Sequence, residues 1–141
     1  MIGIVLVGHG TLALSVLRSI ESVLGHAVPG MVAVGATADD TLVTLRTKIA
    51  AAVDVVEQGD GTIILTDMYG DTATNVSMAL ASEARIQVVT GSNLPIIVKV
   101  TSARHDMGLE KLASFIVEYG RDHILRACPS ESDPRTPRTR R

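Results

Sequence analysis

Four short runs rich in Val and Ile recur along the chain, at Ile2–Val7, Met31–Gly35, Thr62–Thr66 and Ile86–Thr90. None alternates cleanly between apolar and polar residues. A strand with one wet face shows that alternation, and a strand covered on both faces does not. The runs therefore read as strands of a parallel sheet buried between two layers of helices.

Helical periodicity fills the gaps. Residues 12–24 place Ala13, Val16, Leu17, Ile20, Val23 and Leu24 on one stripe, and Gly25 follows as a stop. Asp39 is a candidate cap for a second helix carrying Leu42, Leu45, Ile49, Ala52, Val53 and Val56, with Gly59 as its end. A third helix is expected from Thr72, with Val76, Ala79 and Leu80 on its stripe. Asp106 is a candidate cap for a last helix bearing Leu109, Leu112, Ala113, Ile116 and Val117. Leu94–Val100 has strand propensity, but Pro95 suits a first helical turn, and the helix is preferred. The expected fold is α/β: an open, doubly wound, mainly parallel sheet with helices on both faces.

At 141 residues the chain is one domain with a short appendage. Apolar residues make up 46% and charged residues 20%, which excludes a disordered chain. Residues 129–141, PSESDPRTPRTRR, hold four of the 13 basic and two of the 15 acidic residues. That leaves nine against thirteen, a net −4, for residues 1–128. The expected division is a folded domain over 1–128 and a disordered basic tail over 129–141. No apolar run approaches the ~20 residues of a membrane helix, so no direct membrane insertion is expected. The opening MIGIVLVGHG lacks a basic leader and a cleavage site, and a cytoplasmic location is expected. The single cysteine, Cys128, excludes an internal disulfide and a multi-thiolate metal site. Phe115, Tyr69 and Tyr119 are the aromatic residues, and the net charge is −2; both features argue against a nucleic-acid binder.

In such sheets a site forms at the carboxyl ends of the strands. His9 follows the first strand between Gly8 and Gly10, free to project into a crevice as acid, base, nucleophile or metal ligand. Asp67 ends the third strand. If the first and third strands are neighbours, its carboxylate accepts from one imidazole nitrogen and leaves the other free to attack. An ordinary turn residue is the bland reading of either side chain. His26, His105 and His123 read as surface histidines. The stretch Thr66–Asn75, TDMYGDTATN, joins a glycine, hydroxyls and a helix start, whose N–H groups suit an anion. Thr72 is there a candidate N-cap and a hydrogen-bond donor to a phosphoryl oxygen.

Together, the histidine, the aspartate and a loop of the form TD-[LM]-[aromatic]-G-x-[ST]-x-x-N resemble the mannose-family IIA component of the bacterial sugar phosphotransferase system. Gly91–Lys99, GSNLPIIVK, is similar to that family's G-x-NLP segment. The resemblance covers roughly Met1 to Phe115. It implies a phosphotransferase whose catalytic pair is His9 and Asp67. His9 accepts a phosphoryl group from a histidine-containing phosphocarrier protein and passes it to a IIB component, for sugar uptake or regulation. Gly10, Gly70, Asp71 and Thr72 would lie against the phosphoryl group, with neither metal nor other cofactor. The resemblance also implies a homodimer working beside a membrane-associated complex.

Two departures stand out. Asp71 replaces a glycine and Ala73 replaces a proline of the family's loop. A carboxylate near the phosphoryl group is repelled by about 4 kcal/mol per unit charge pair at ~4 Å and an effective dielectric of ~20. Inward, Asp71 weakens phosphorylation; outward, it matters little. Four alternatives stay open. VGHGT, Val7–Thr11, is similar to the start of small sirohydrochlorin-type cobalt or nickel chelatases, which need a second histidine that the facing strand ends lack. A receiver-like switch needs an acidic pair where Gly8-His9-Gly10 stands. The phosphocarrier subunit of dihydroxyacetone kinase differs in the loop. A degenerate IIA-like domain would bind partners without carrying phosphate.

Overall fold

In the computed structural model, which describes residues 1–127, β1 (Gly3–His9) runs between two other strands. It pairs in parallel with β2 (Met31–Ala36) on one side and β3 (Thr62–Thr66) on the other, and β3 pairs with β4 (Ile86–Thr90). The order β2-β1-β3-β4 is that of a doubly wound sheet. Every residue of β3, and all of β1 but His9, is buried, whereas the edge strands β2 and β4 are half covered. The missing alternation in the sequence thus has its cause in two-sided covering.

Five helices supply that covering: α1 (Leu12–Leu24), α2 (Leu42–Val56), α3 (Thr72–Ala81), α4 (Leu94–Ala103) and α5 (Leu109–Asp122). Successive residues of β1 feed opposite layers, as a period of two requires. Ile4 and Leu6 pack with Ile20 of α1, Ile97 of α4 and Leu112 of α5. Val5 and Val7 pack with Leu45 and Ile49 of α2 and Val76 of α3. Side chains such as Ile63, Ile64 and Leu65, fully buried, each contribute roughly 1.5–3 kcal/mol. No helix among the described residues is long and apolar enough to cross a membrane.

The helix ends refine the reading of the sequence. Gly25 ends α1 in the left-handed region (φ 77°), its N–H donating to the Glu21 carbonyl. α2 is capped by Thr41 rather than Asp39: Thr41 and Thr44 exchange side-chain-to-backbone bonds as a capping box. Asp40 instead binds Lys48 and the Thr37 N–H. α2 stops at Val56, before Gly59. α3 is capped by Asp71 rather than Thr72, and α5 by Gly108 rather than Asp106. α4 is a helix because the Asn93 side chain caps it, accepting from the Ile96 N–H at 3.1 Å, and Pro95 sits in its first turn. The expected boundary at residue 128 and the basic tail lie outside the described residues.

Candidate active site

β1 and β3 are neighbours, and the chain leaves them for opposite faces, so a crevice opens at their carboxyl ends. Val7 lies level with Thr66, which brings His9 and Asp67 together. One carboxylate oxygen, Asp67 Oδ2, accepts the His9 backbone N–H at 2.9 Å and lies 2.8 Å from His9 Nδ1. A carboxylate is an acceptor only, so Nδ1 carries the proton and Nε2 keeps its lone pair in the neutral ring. Gly8 leaves room for the start of α1: a Cβ there would stand 3.1 Å from the Ala13 nitrogen, whereas its 3.4 Å to Asp67 Oδ2 would be ordinary contact.

The loop from Asp67 to Asp71 is braced from beneath. The Thr74 hydroxyl donates to the Met68 carbonyl at 2.7 Å, and the buried Thr66 hydroxyl meets it at 2.9 Å. Gly70 turns the loop with φ +83° and faces open space. Asp71 then starts α3: its Oδ1 accepts the Thr74 N–H at 2.7 Å, and its Oδ2 lies 3.6 Å from His9 Nε2. The Asp71 side chain is only 9% exposed, against 55% for His9. It faces inward.

The hydrogen bond to Asp67, then that carboxylate's charge, raise the His9 pKa above its ordinary 6.5; desolvation opposes them and the Asp71 charge adds to them. Burial pushes the Asp67 carboxyl upward, but the His9 backbone N–H, ring N–H and charge together prevail and hold it below its ordinary value. Asp67 Oδ1 is buried without a hydrogen-bond partner among the described residues.

Of the other residues singled out in the sequence, Gly10 makes the turn after β1 with φ +56° and commits its N–H to the Ala36 carbonyl at 2.7 Å. Thr72 occupies the first position of α3, so its N–H is one of those that open the helix. His26, His105 and His123 are exposed, and His123 stacks on Tyr119 at 3.7 Å. Thr74 was not singled out in the sequence. A threonine inside a helical pattern gives no signal until the loop it supports is seen above it.

Ligand atoms of His9, Asp67 and Asp71 lie within 4.8 Å of one another. They are poorly disposed toward a cation. Asp67 Oδ2 is committed to His9, and the Asp71 carboxylate stands at the positive end of α3, which favours negative charge. Among the described residues no second histidine joins the group, so the donor set of the chelatase reading is incomplete. An imidazole with one nitrogen fixed by a carboxylate and the other facing a helix N-terminus is suited to accept an anionic group.

The family model described as PTS system fructose IIA component matches residues 3–117. The PTS system fructose-specific EIIA component of Bacillus subtilis (strain 168) is 26% identical over 113 residues, covering 79% of this chain and 77% of that protein. The PTS system mannose-specific EIIAB component of Escherichia coli (strain K12) is 28% identical over 142 residues, covering 92% of this chain and 41% of that protein. The chain therefore spans less than half the length of that relative. The structure of a phosphotransferase system component EIIA from Streptococcus agalactiae superposes with a TM-score of 0.81 at 26% identity, covering 89% of this chain and 97% of that one. The mannose/sorbose specific IIA subunit from Enterococcus faecalis gives 0.82 at 23% identity, covering 92% and 97%, and shares the fold.

Proposed function

The chain belongs to the family of PTS system fructose IIA components, and from that premise we propose that His9 is its phosphoryl-accepting residue, with Asp67 as the residue that positions it. The observation carrying this reading is the bond between His9 Nδ1 and Asp67 Oδ2, which turns Nε2 toward the start of α3.

A histidine-containing phosphocarrier protein is the donor and a IIB component the acceptor. In the first step the Nε2 lone pair attacks phosphorus, the N–P bond of the donor breaks, and the donor nitrogen recovers its electron pair. The Nδ1 proton stays between His9 and Asp67, whose charge balances the cationic character that develops on the ring. The opening N–H groups of α3, including that of Thr72, receive the phosphoryl oxygens, helped by the turn at Gly70. Gly10 shapes the turn that presents the ring. Phosphoryl transfer needs mainly position and charge, so this small set suffices. The onward step reverses the first, toward the IIB component.

The test is to incubate the protein with phosphoenolpyruvate and the two general phosphotransferase proteins. We expect an acid-labile, base-stable label that His9→Ala abolishes. A label that survives His9→Ala rejects His9 as the acceptor. A protein that takes no label yet binds a IIB component is a degenerate IIA-like domain, the reading that the inward Asp71 keeps in play.

A further inference from the structure

Asp71 holds two things that an arriving phosphoryl group needs. Its Oδ1 caps α3 through the Thr74 N–H at 2.7 Å, and its Oδ2 stands 3.6 Å from His9 Nε2. The first contact occupies the positive end of the helix. The second is ordinary van der Waals separation, with no room for phosphorus and its oxygens between the two atoms. The side chain is nine-tenths covered, so it has not strayed in from solvent. Around it are the titratable groups His9 and Asp67, and the hydroxyl of Thr74 behind the loop.

We propose that Asp71 is an internal stand-in for the phosphoryl group, filling the site at rest and having to be displaced before His9 is phosphorylated. This rests on the reading of His9 as the acceptor. As the N–P bond forms at Nε2 and the donor's N–P bond breaks, the Asp71 carboxylate turns outward and releases the Thr74 N–H. A phosphoryl oxygen takes over that hydrogen bond, so one anion replaces another at the helix end. No proton is gained or lost. The backbone permits the exchange: Asp71 is extended (φ −82°, ψ 174°), and the flanking Gly70 is open on its Cα face. Two consequences follow. Acceptance is slow relative to a site without the carboxylate. The phosphohistidine, once made, competes with Asp71 for the Thr74 N–H and is a ready donor.

Two variants separate charge from capping. Asp71→Asn keeps an N-cap side chain of the same shape and removes the charge, and Asp71→Gly removes both. The extended backbone suits either residue. The probe is phosphoramidate, a small phosphoryl donor that needs no protein partner, with phosphohistidine followed by ³¹P NMR and thermal melting followed in parallel. The Asn variant is expected to be phosphorylated about tenfold faster or more, with an unchanged melting temperature, and the Gly variant at least as fast as Asn. A purely structural cap would lower the melting point in Gly and leave all rates alike. Equal rates in the three proteins, or no label in any of them, overturn the proposal. If phosphoramidate labels His9 in the expected order but the phosphocarrier protein labels none of the three, the inference about Asp71 stands and the assignment of the donor fails.

Discussion

A single oxygen of Asp67 serves two donors of His9, the backbone N–H at 2.9 Å and the ring Nδ1 at 2.8 Å, and so ties the ends of β1 and β3 while it orients the imidazole. In the proposed transfer Asp67 acts through His9 and not on the transferred group.

Asp67→Asn should therefore leave the fold intact and slow phosphoryl transfer by at least about tenfold, since a carboxylate behind a metal-bound histidine is worth roughly ten- to a hundredfold and one behind a catalytic histidine more. The pKa of His9 should fall in the same variant, because both leading causes of its rise come from Asp67. Single-turnover transfer and NMR titration of the ring read the two effects. Equal rates in mutant and parent would remove Asp67 from the mechanism.

The pH dependence follows from the same pair. In the proposed transfer the acceptor is neutral His9, whose folded pKa lies above 6.5, so transfer should climb as pH rises through that raised value. For stability the two signs differ. The contribution of His9 is complete below about 6.5 and is lost as pH rises through its folded value. That of Asp67 is complete above about 3.9 and is lost as pH falls through its depressed folded value. Urea midpoints should thus carry the full contribution of the pair between those limits in the parent, and lose that dependence in His9→Ala. A parent without it would refute the pairing.

The layered fold and the pairing of His9 with Asp67 were legible in the sequence because both follow from burial. Ile63, Ile64 and Leu65 announce a strand covered twice, and strand ends in such a sheet converge. The caps were less legible. Asp39, Asp40 and Thr41 are all good capping residues in a row, and the choice of Thr41 depends on Lys48 reaching back to Asp40 and on Thr44 completing the box. The direction of Asp71 was likewise undecidable locally, since it depends on where α3 begins. A helix starting at residue 72 turns the Asp71 side chain inward as its cap.

Gly35→Ala probes the packing behind the site. An added Cβ would stand 2.3 Å from the Gly10 carbonyl oxygen, a backbone atom that cannot rotate away. Gly10 must move, and His9 with it. We expect a loss of about 1–3 kcal/mol in urea unfolding, together with a lower His9 pKa as the bond to Asp67 lengthens. An unchanged ring titration would show that the turn absorbs the methyl without disturbing His9.

Arg104 is 4% exposed and donates to the carbonyls of Ile2 at 3.2 Å and Pro29 at 2.6 Å, at the end of the sheet opposite the site. Arg104→Leu leaves those acceptors unpaired and should cost about 2–4 kcal/mol in urea unfolding. Arg104→Lys should recover only part of it, because one ammonium cannot span the planar fork. The His9 titration should not change in either variant. A loss below about 1 kcal/mol in Arg104→Leu would mean that water serves the carbonyls equally well.

The register of β1 on β3 runs unbroken from Gly3↔Thr62 to Val7↔Thr66, and the His9 amide lies just beyond it, closed by Asp67. Hydrogen exchange at the amides inside that register needs the two central strands to part, so its rate should track global unfolding. The Thr74 amide, held by Asp71, needs only one side chain to turn, and should exchange by local opening. Sheet and site therefore carry two clocks: a slow one that reports whether the protein is folded, and a fast one that reports whether the acceptor is open.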